Sequence, residues 1–209
     1  MKFKEIYNGY TIEIHTDEDP MNPRENDNLG TMVCYHRRYD LGDKHDHGNQ
    51  DSFKEYLKKN EKHIIMLPLY LYDHSGITMN TTGFSCPWDS GMVGIIYVSK
   101  EKVRKEYGWK VLTKARIEKI KEYLKGEVKE YDQFLTGEVY GYVVKDSTGK
   151  EIHSCWGYWG SDHEAHLLPS ARGEVDATIE TKRKNHQTKL KVLIKHKAPL
   201  QVRAVALCQ

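Results

Sequence analysis

Two Asp-Gly loops, each running into an apolar strand, gather the residue types of this chain that could do chemistry. The first reads Asp27-Asn28-Leu29-Gly30-Thr31-Met32-Val33-Cys34-Tyr35-His36-Arg37-Arg38-Tyr39-Asp40-Leu41-Gly42-Asp43. The second reads Tyr70-Leu71-Tyr72-Asp73-His74-Ser75-Gly76-Ile77-Thr78, followed by Cys86-Pro87-Trp88-Asp89-Ser90-Gly91-Met92-Val93. Arg37 and Arg38 can fork onto phosphate or carboxylate, and Tyr35, Tyr72 and Trp88 can stack on a base. Gly30, Gly76 and Gly91 would allow close backbone approach and donate N–H groups to an anion. With Asp27, His36, Asp73, His74, Ser75, Asp89 and Ser90 they form a candidate set for a nucleotide-like ligand. The alternative is structural: Asp27, Asp73 and Asp89 cap turns, while Trp88, Trp109, Trp156 and Trp159 fill the core. Fourteen tyrosines also suit a protein-binding surface, because tyrosine gives large contact area with few rotors.

Metal binding is the sharpest chemical alternative. His36, Asp43, His45, His47, Asp73, His74 and Asp89 offer nitrogen and oxygen donors on several loops, and three or four such donors would complete the shell of a divalent ion. A metal-dependent nucleotide hydrolase would follow from such a site. No His-Glu-x-x-His pair fixes the spacing, however, and residues 44–48 also read as a solvated turn. Ser75 and Ser90 adjoin His74, Asp73 and Asp89 only in sequence, whereas a catalytic triad is assembled from spatial neighbours. Asp73-His74-Ser75-Gly76 is more economically a turn, its Asp accepting backbone bonds and its glycine at positive φ. Cys34 and Cys86 lack the basic, helix-terminal setting of a reactive thiolate. Catalysis is therefore not expected.

Composition bounds these readings. A chain of 209 residues with 38% hydrophobic content can bury one respectable core. Mean hydropathy is −0.73, and the sequence has neither a run of the roughly 20 apolar residues a membrane span needs nor a signal-peptide core after Met1-Lys2-Phe3-Lys4. A cytoplasmic protein is expected. The cysteines, Cys34, Cys86, Cys155 and Cys208, are widely separated with no Cys-x-x-Cys, so they read as reduced, largely buried thiols. The net charge of +2 hides an asymmetry: residues 181–209 hold eight basic residues and no acid, leaving everything before them net acidic. Lys182, Arg183, Lys184, Lys189, Lys191 and Lys195 could track nucleic-acid phosphates. The alternative is a solvated helix face, since aromatic residues are absent there.

The elements that must position these loops follow from period and punctuation. Asn8-Gly9 between alternating segments predicts a hairpin over residues 4–15. Residues 17–27 are too rich in Pro, Asn and acid for regular structure. Strands are expected over 31–36, 63–72 and 92–98, with Pro68 marking a sheet edge or an irregularity. Short helices are expected over 51–59 and 100–107, the latter capped by Ser99. Ile117, Ile120, Leu124, Val128, Tyr131 and Leu135 recur at three and four, which predicts a helix over 114–135 stopped at Gly137. Residues 138–145 and 151–159 pair as a second hairpin across Asp146-Ser147-Thr148-Gly149. The run from Val175 to Ile194 fits a helix better than a strand, ending before Ala198-Pro199. The sum is an α+β fold of antiparallel hairpins and sheet packed with a long amphipathic helix. Residues 1–160 read as the α+β core domain and 161–209 as a basic C-terminal helical segment.

These motifs resemble a widespread family of bacteriophage, prophage and plasmid proteins. The resemblance rests on Pro23-Arg24-Glu25 and residues 27–34, 36–43, 67–76, 86–91 and 96–101, then on Tyr131-Asp132, residues 137–141 and Ser154-Cys155-Trp156-Gly157. It spans about residues 12–160, and the basic segment ending in Ala198-Pro199-Leu200 is similar to the family's tail. Met92 departs from the pattern, which has a polar residue such as Gln after the glycine. The resemblance implies an accessory gene product acting in the bacterial host cell, by blocking a host defence protein or sequestering its nucleotide-like signal. No catalytic activity is implied.

Overall fold

The computed structural model describes residues 2–160, 162 and 165–206, the side chains of 195–206 apart. Within these residues the fold is α+β, with four α-helices and two four-stranded antiparallel sheets. The strands are β1 (Phe3–Tyr7), β2 (Tyr10–Thr16), β3 (Thr31–Cys34), β4 (Ile64–Asp73), β5 (Ile77–Asn80), β6 (Ser90–Ser99), β7 (Val139–Lys145) and β8 (Glu151–Trp159). The helices are α1 (Gln50–Asn60), α2 (Lys100–Tyr107), α3 (Lys114–Leu135) and α4 (Leu167–Ala206). One sheet has the order β1-β2-β7-β8, the other β3-β6-β4-β5.

The chain divides into two compact units that interleave along the sequence. Met1–His15, Gly141–Tyr158 and Asp162–Gln209 form the first, and Thr16–Tyr140 with Trp159–Ser161 the second. The C-terminal helix thus shares a unit with the N-terminal hairpin instead of standing apart after residue 160. In that first unit, β1 and β2 pair from Phe3↔Ile14 to Tyr7↔Tyr10 across an Asn8-Gly9 turn in which both residues take positive φ. One face of the hairpin meets α4 through polar contacts. Arg172 forks onto both Glu5 oxygens, at 3.0 and 2.8 Å, the Tyr7 hydroxyl donates to Asp176, and Lys182 donates to the Tyr10 hydroxyl over its ring. Leu167, Leu168, Ala171 and Val175 are the buried positions of α4 among the described side chains. The helix also runs through Pro199 to Ala206, where a stop before Ala198 was expected. A proline removes one intrahelical bond and crowds one carbonyl, which bends a helix without obliging it to end.

The second unit is the one that carries the Asp-Gly loops. Its sheet has α3 on one face and α1 on the other. Ile120, Leu124, Val128 and Tyr131 of α3 pack on Met32, Cys34, Leu69, Leu71, Met79, Ile96 and Val98. Burying each large aliphatic side chain here contributes about 1.5–3 kcal/mol. The opposite face presents Val33 and Ile95 to Phe53 of α1, with Tyr35, Tyr56, Met66 and Tyr97 around them. A bulge inverts the alternation of β6: Leu69 pairs with Gly94 and Tyr70 with Met92, so Val93 is the extra residue and faces α3. Pro68 lies beside this irregularity. β5 pairs only with Tyr70 through Asp73, so β4 is an edge at Pro68.

The helix ends agree with the sequence signals. Asn49, Ser99 and Thr113 accept from backbone N–H groups as N-caps of α1, α2 and α3. Gly108 closes α2 in the left-handed conformation.

Candidate functional site

The ends of β3, β4 and β6 bring three loops of the second unit together. Asp73 pairs with Ile77, which leaves His74-Ser75-Gly76 as a three-residue hairpin loop. Ser75, not Gly76, takes the positive φ in this loop, at 58°. The Asp73 carboxylate accepts from Arg38 Nη1 at 3.1 Å and from the Tyr39 hydroxyl at 3.3 Å. It therefore ties one loop to another instead of capping its own turn. The Asp73 N–H donates to the Asp89 carbonyl at 2.8 Å, and His74 Nδ1 lies 3.3 Å from Asp89 Oδ2. The Cys86 thiol donates to the same oxygen at 3.6 Å, and the Ser90 hydroxyl donates to the Cys86 carbonyl.

An aromatic and cationic layer sits on this framework. His36 stacks on Tyr39 with ring centroids 5.1 Å apart, and the Arg38 guanidinium lies over the other ring at 5.1 Å from the Tyr39 centroid. Tyr72 packs against Phe84 and His74. Trp88 is 91% exposed, and Met92, four residues on, is also exposed. Trp88 therefore does not fill the core. Trp156 is exposed as well, and Trp109 and Trp159 are only half-buried. Arg37 is exposed with no described partner, and Gly91 is open, with no atom near the space a Cβ would take.

Arg38, Asp73, His74, Ser75, Asp89, Ser90 and Gly91 are thus gathered with His36, Arg37 and Trp88 in one loop cluster. Three of the residues singled out with them lie elsewhere. Tyr35 points to the α1 face, 5.1 Å from the His45 ring and 6.0 Å from Phe53, because β3 alternates and Cys34 takes the α3 side. Asp27 lines a separate cleft with Lys102, Glu106 and Tyr123. Gly30 serves packing rather than a ligand: a Cβ there would fall 2.6 Å from Leu124 Cδ2 and 2.9 Å from Ile96 Cγ1. Its N–H is already given to Glu127.

Glu127 belongs to a buried network that holds the first loop to α3. Arg24 Nε and Nη2 donate to Asp43 Oδ1 and Oδ2, both at 2.7 Å, and Nη1 donates to Glu127 Oε2 at 2.9 Å. Nη2 also donates to the Gly30 carbonyl. Glu127 accepts the N–H groups of Leu29 and Gly30, and Asp43 that of Met32. Burial alone would lower the Arg24 pKa, yet its bonds to Asp43 and Glu127 hold it above the ordinary value. The same burial, with Asp43 nearby, pushes the Cys34 thiol up to about 12, so Cys34 stays a thiol at neutral pH. Sequence reading did not single out Glu127. The signal was present, because Glu127 falls on the Ile120-Leu124-Tyr131 stripe of α3, where an acid must have a buried partner.

The four imidazoles considered as metal donors divide between two places. His36 and His74 sit in the loop cluster, whereas His45 and His47 pack among Tyr35, Phe53, Tyr56 and Tyr97 on the α1 side. Asp43 is taken by Arg24. No group of three His, Cys, Asp or Glu among the described residues is arranged to hold a metal ion. Cys34 is buried while Cys86 and Cys155 are half-buried, less enclosed than expected; none of the three is in a disulfide, and Cys208 lies outside the described residues.

The six basic residues considered for nucleic-acid contact all fall on α4. Lys182 is engaged by Tyr10, and Arg183 and Lys184 flank Glu180. Lys189 and Lys191 are exposed, and the side chain of Lys195 lies outside the described residues. Leu190, Val192, Leu193 and Ile194 are exposed between them. No described helix is long and apolar enough to cross a membrane. Comparison of the chain with protein-family models, curated proteins and solved structures gave no match.

Proposed function

We propose that this chain is an accessory protein of a phage or mobile element that counters host defence inside the bacterial cell by binding a defence protein. The loop cluster around Trp88 would be its contact surface. The observation that carries this reading is the exposure of Trp88, at 91%, on a loop tied through Asp89, His74 and Asp73 to the one that carries the exposed Arg37 and Arg38. An indole left in water costs free energy unless a partner covers it, and Trp, Tyr and Arg are the side chains that dominate interface energies. The framework beneath supports the same role, since Asp73 and Asp89 bind the three loops to one another and reduce the ordering cost of association. No catalytic step is assigned to these residues.

The test is infection of cells that carry defined defence systems. Wild-type protein is expected to restore plaque formation against one of them, and Trp88→Ala or Arg37→Ala/Arg38→Ala to abolish that rescue without loss of folded protein. Rescue that survives all three substitutions would sink the proposed surface.

A second reading, nucleic-acid binding, has its own support in the exposed lysines Lys189 and Lys191 on α4. It requires affinity that falls steeply with salt and disappears on truncation after Asn185. That cut spares Leu168, Ala171, Val175 and Lys182, which hold α4 to its unit.

A further inference from the structure

A second recess in the same unit carries charge that the loop surface does not use. β4 and β6 run antiparallel from Tyr72↔Ser90, beside the loop cluster, to Ile64↔Ser99 at the far end. At that far end a cleft of about 470 Å³ opens between the end of α1 and the start of α2, within the size range of small-molecule sites. Lys62, His63, Lys100 and Arg104 line it, with Tyr56 in the wall and Glu101 as the single acid. Lys62, Lys100 and Arg104 have no carboxylate partner among the described residues, although residues 1–180 hold 24 basic against 30 acidic side chains. Acids are thus in excess over this part of the chain, yet at this cleft the cations outnumber them three to one. Lys100 Nζ donates to the Lys62 carbonyl at 2.7 Å, which fixes one ammonium at the rim and leaves its other hydrogens free. Arg104 follows Lys100 at i+4, one turn along α2.

We propose that this cleft is a binding site for a phosphate-bearing small ligand, distinct from the loop surface and at the opposite end of the same strands. Like charges held together repel unless an anion bridges them. A phosphate group brings close to two negative charges and three acceptor oxygens, which match a guanidinium fork and two ammonium groups. Tyr56, in the cleft wall, would meet whatever the phosphate carries.

The test is calorimetric titration of the full chain with pyrophosphate and, separately, with ATP at physiological ionic strength. One-to-one saturable binding is expected for both. Lys62→Gln/Arg104→Gln should weaken it by at least about tenfold, corresponding to the loss of one charge-assisted contact. Glu101→Gln should tighten it, and Trp88→Ala should leave it unchanged, which separates this site from the loop surface. Tighter ATP than pyrophosphate binding would assign the nucleoside to the Tyr56 wall, and equal affinity would assign recognition to the phosphates alone. Absence of saturable binding with either probe would overturn the proposal. So would an affinity indifferent to Glu101→Gln, a result that can be read even if the double variant does not fold.

Discussion

Arg24 and Asp43 meet side-on, two nitrogens against two oxygens at 2.7 Å each, with the arginine side chain only 2% exposed. The pair closes the 24–43 segment into a loop whose ends are fixed before its tip, residues 36–39, reaches the surface. Glu127 completes the fixation from α3.

Removing one member of this network leaves buried charge without a partner. Arg24→Ala and Glu127→Ala are expected to destabilise the protein by about 3–5 kcal/mol each. Arg24→Lys should also be costly, because an ammonium cannot reproduce the bidentate fork. Urea denaturation followed by circular dichroism measures this; a loss below about 1 kcal/mol for Glu127→Ala would show that the network does not hold the loop.

Gly30 separates packing from ligand approach. Gly30→Ala pushes a methyl into Leu124 and Ile96 and should cost about 1–3 kcal/mol. Gly76→Ala, where no atom lies within 4 Å, should change stability by less than about 0.5 kcal/mol. Equal melting of the two variants would contradict the contact assigned to Gly30.

Much of this fold is legible in the sequence because its elements are local. The stripe of α3 and the Ser99 cap of α2 each depend on residues within a turn or two, and the Asn8-Gly9 hairpin is equally local. Pro68 signals an irregularity, and the bulge at Val93 falls one to two residues along β4, opposite the Leu69–Tyr70 step. What the sequence left open depends on contacts across many residues. Nothing local pairs Arg24 with Glu127, 103 residues away, or places the Trp88 side chain in solvent. Tyr35 and His36 are neighbours in one motif, yet β3 sends Tyr35 to the α1 face while His36 stacks in the loop cluster. A motif read as one site was therefore divided by the strand alternation that carries it.

His47 gives the second unit a pH dependence. Burial, with His45 nearby, holds its pKa below the ordinary 6.5, and Nε2 shares a 2.9 Å hydrogen bond with the Tyr97 hydroxyl. The unfolded chain takes up this proton first on acidification. The stability contributed by neutral His47 is full above about pH 6.5 and is lost as pH falls through its lower folded value. His47→Gln should flatten the fall in melting temperature below pH 6.5, and an unchanged slope would contradict the assignment.

Glu13, in the first unit, acts in the same direction at lower pH. Its hydrogen bond from Lys145, at 2.6 Å, holds the carboxyl below its ordinary value of 4.5. Its contribution is present above pH 4.5 and is lost as pH falls through the lower folded value. Glu13→Gln should therefore reduce the acid sensitivity of the hairpin amides in hydrogen exchange, and identical exchange in both proteins would contradict it.

The most direct measurement of the central claim is native mass spectrometry of tagged protein recovered from bacteria in which a defence system is active. An added protein subunit is expected on the wild-type chain and none on Trp88→Ala, with both proteins equally folded. Bare wild-type protein, or the same subunit retained by Trp88→Ala, would contradict it.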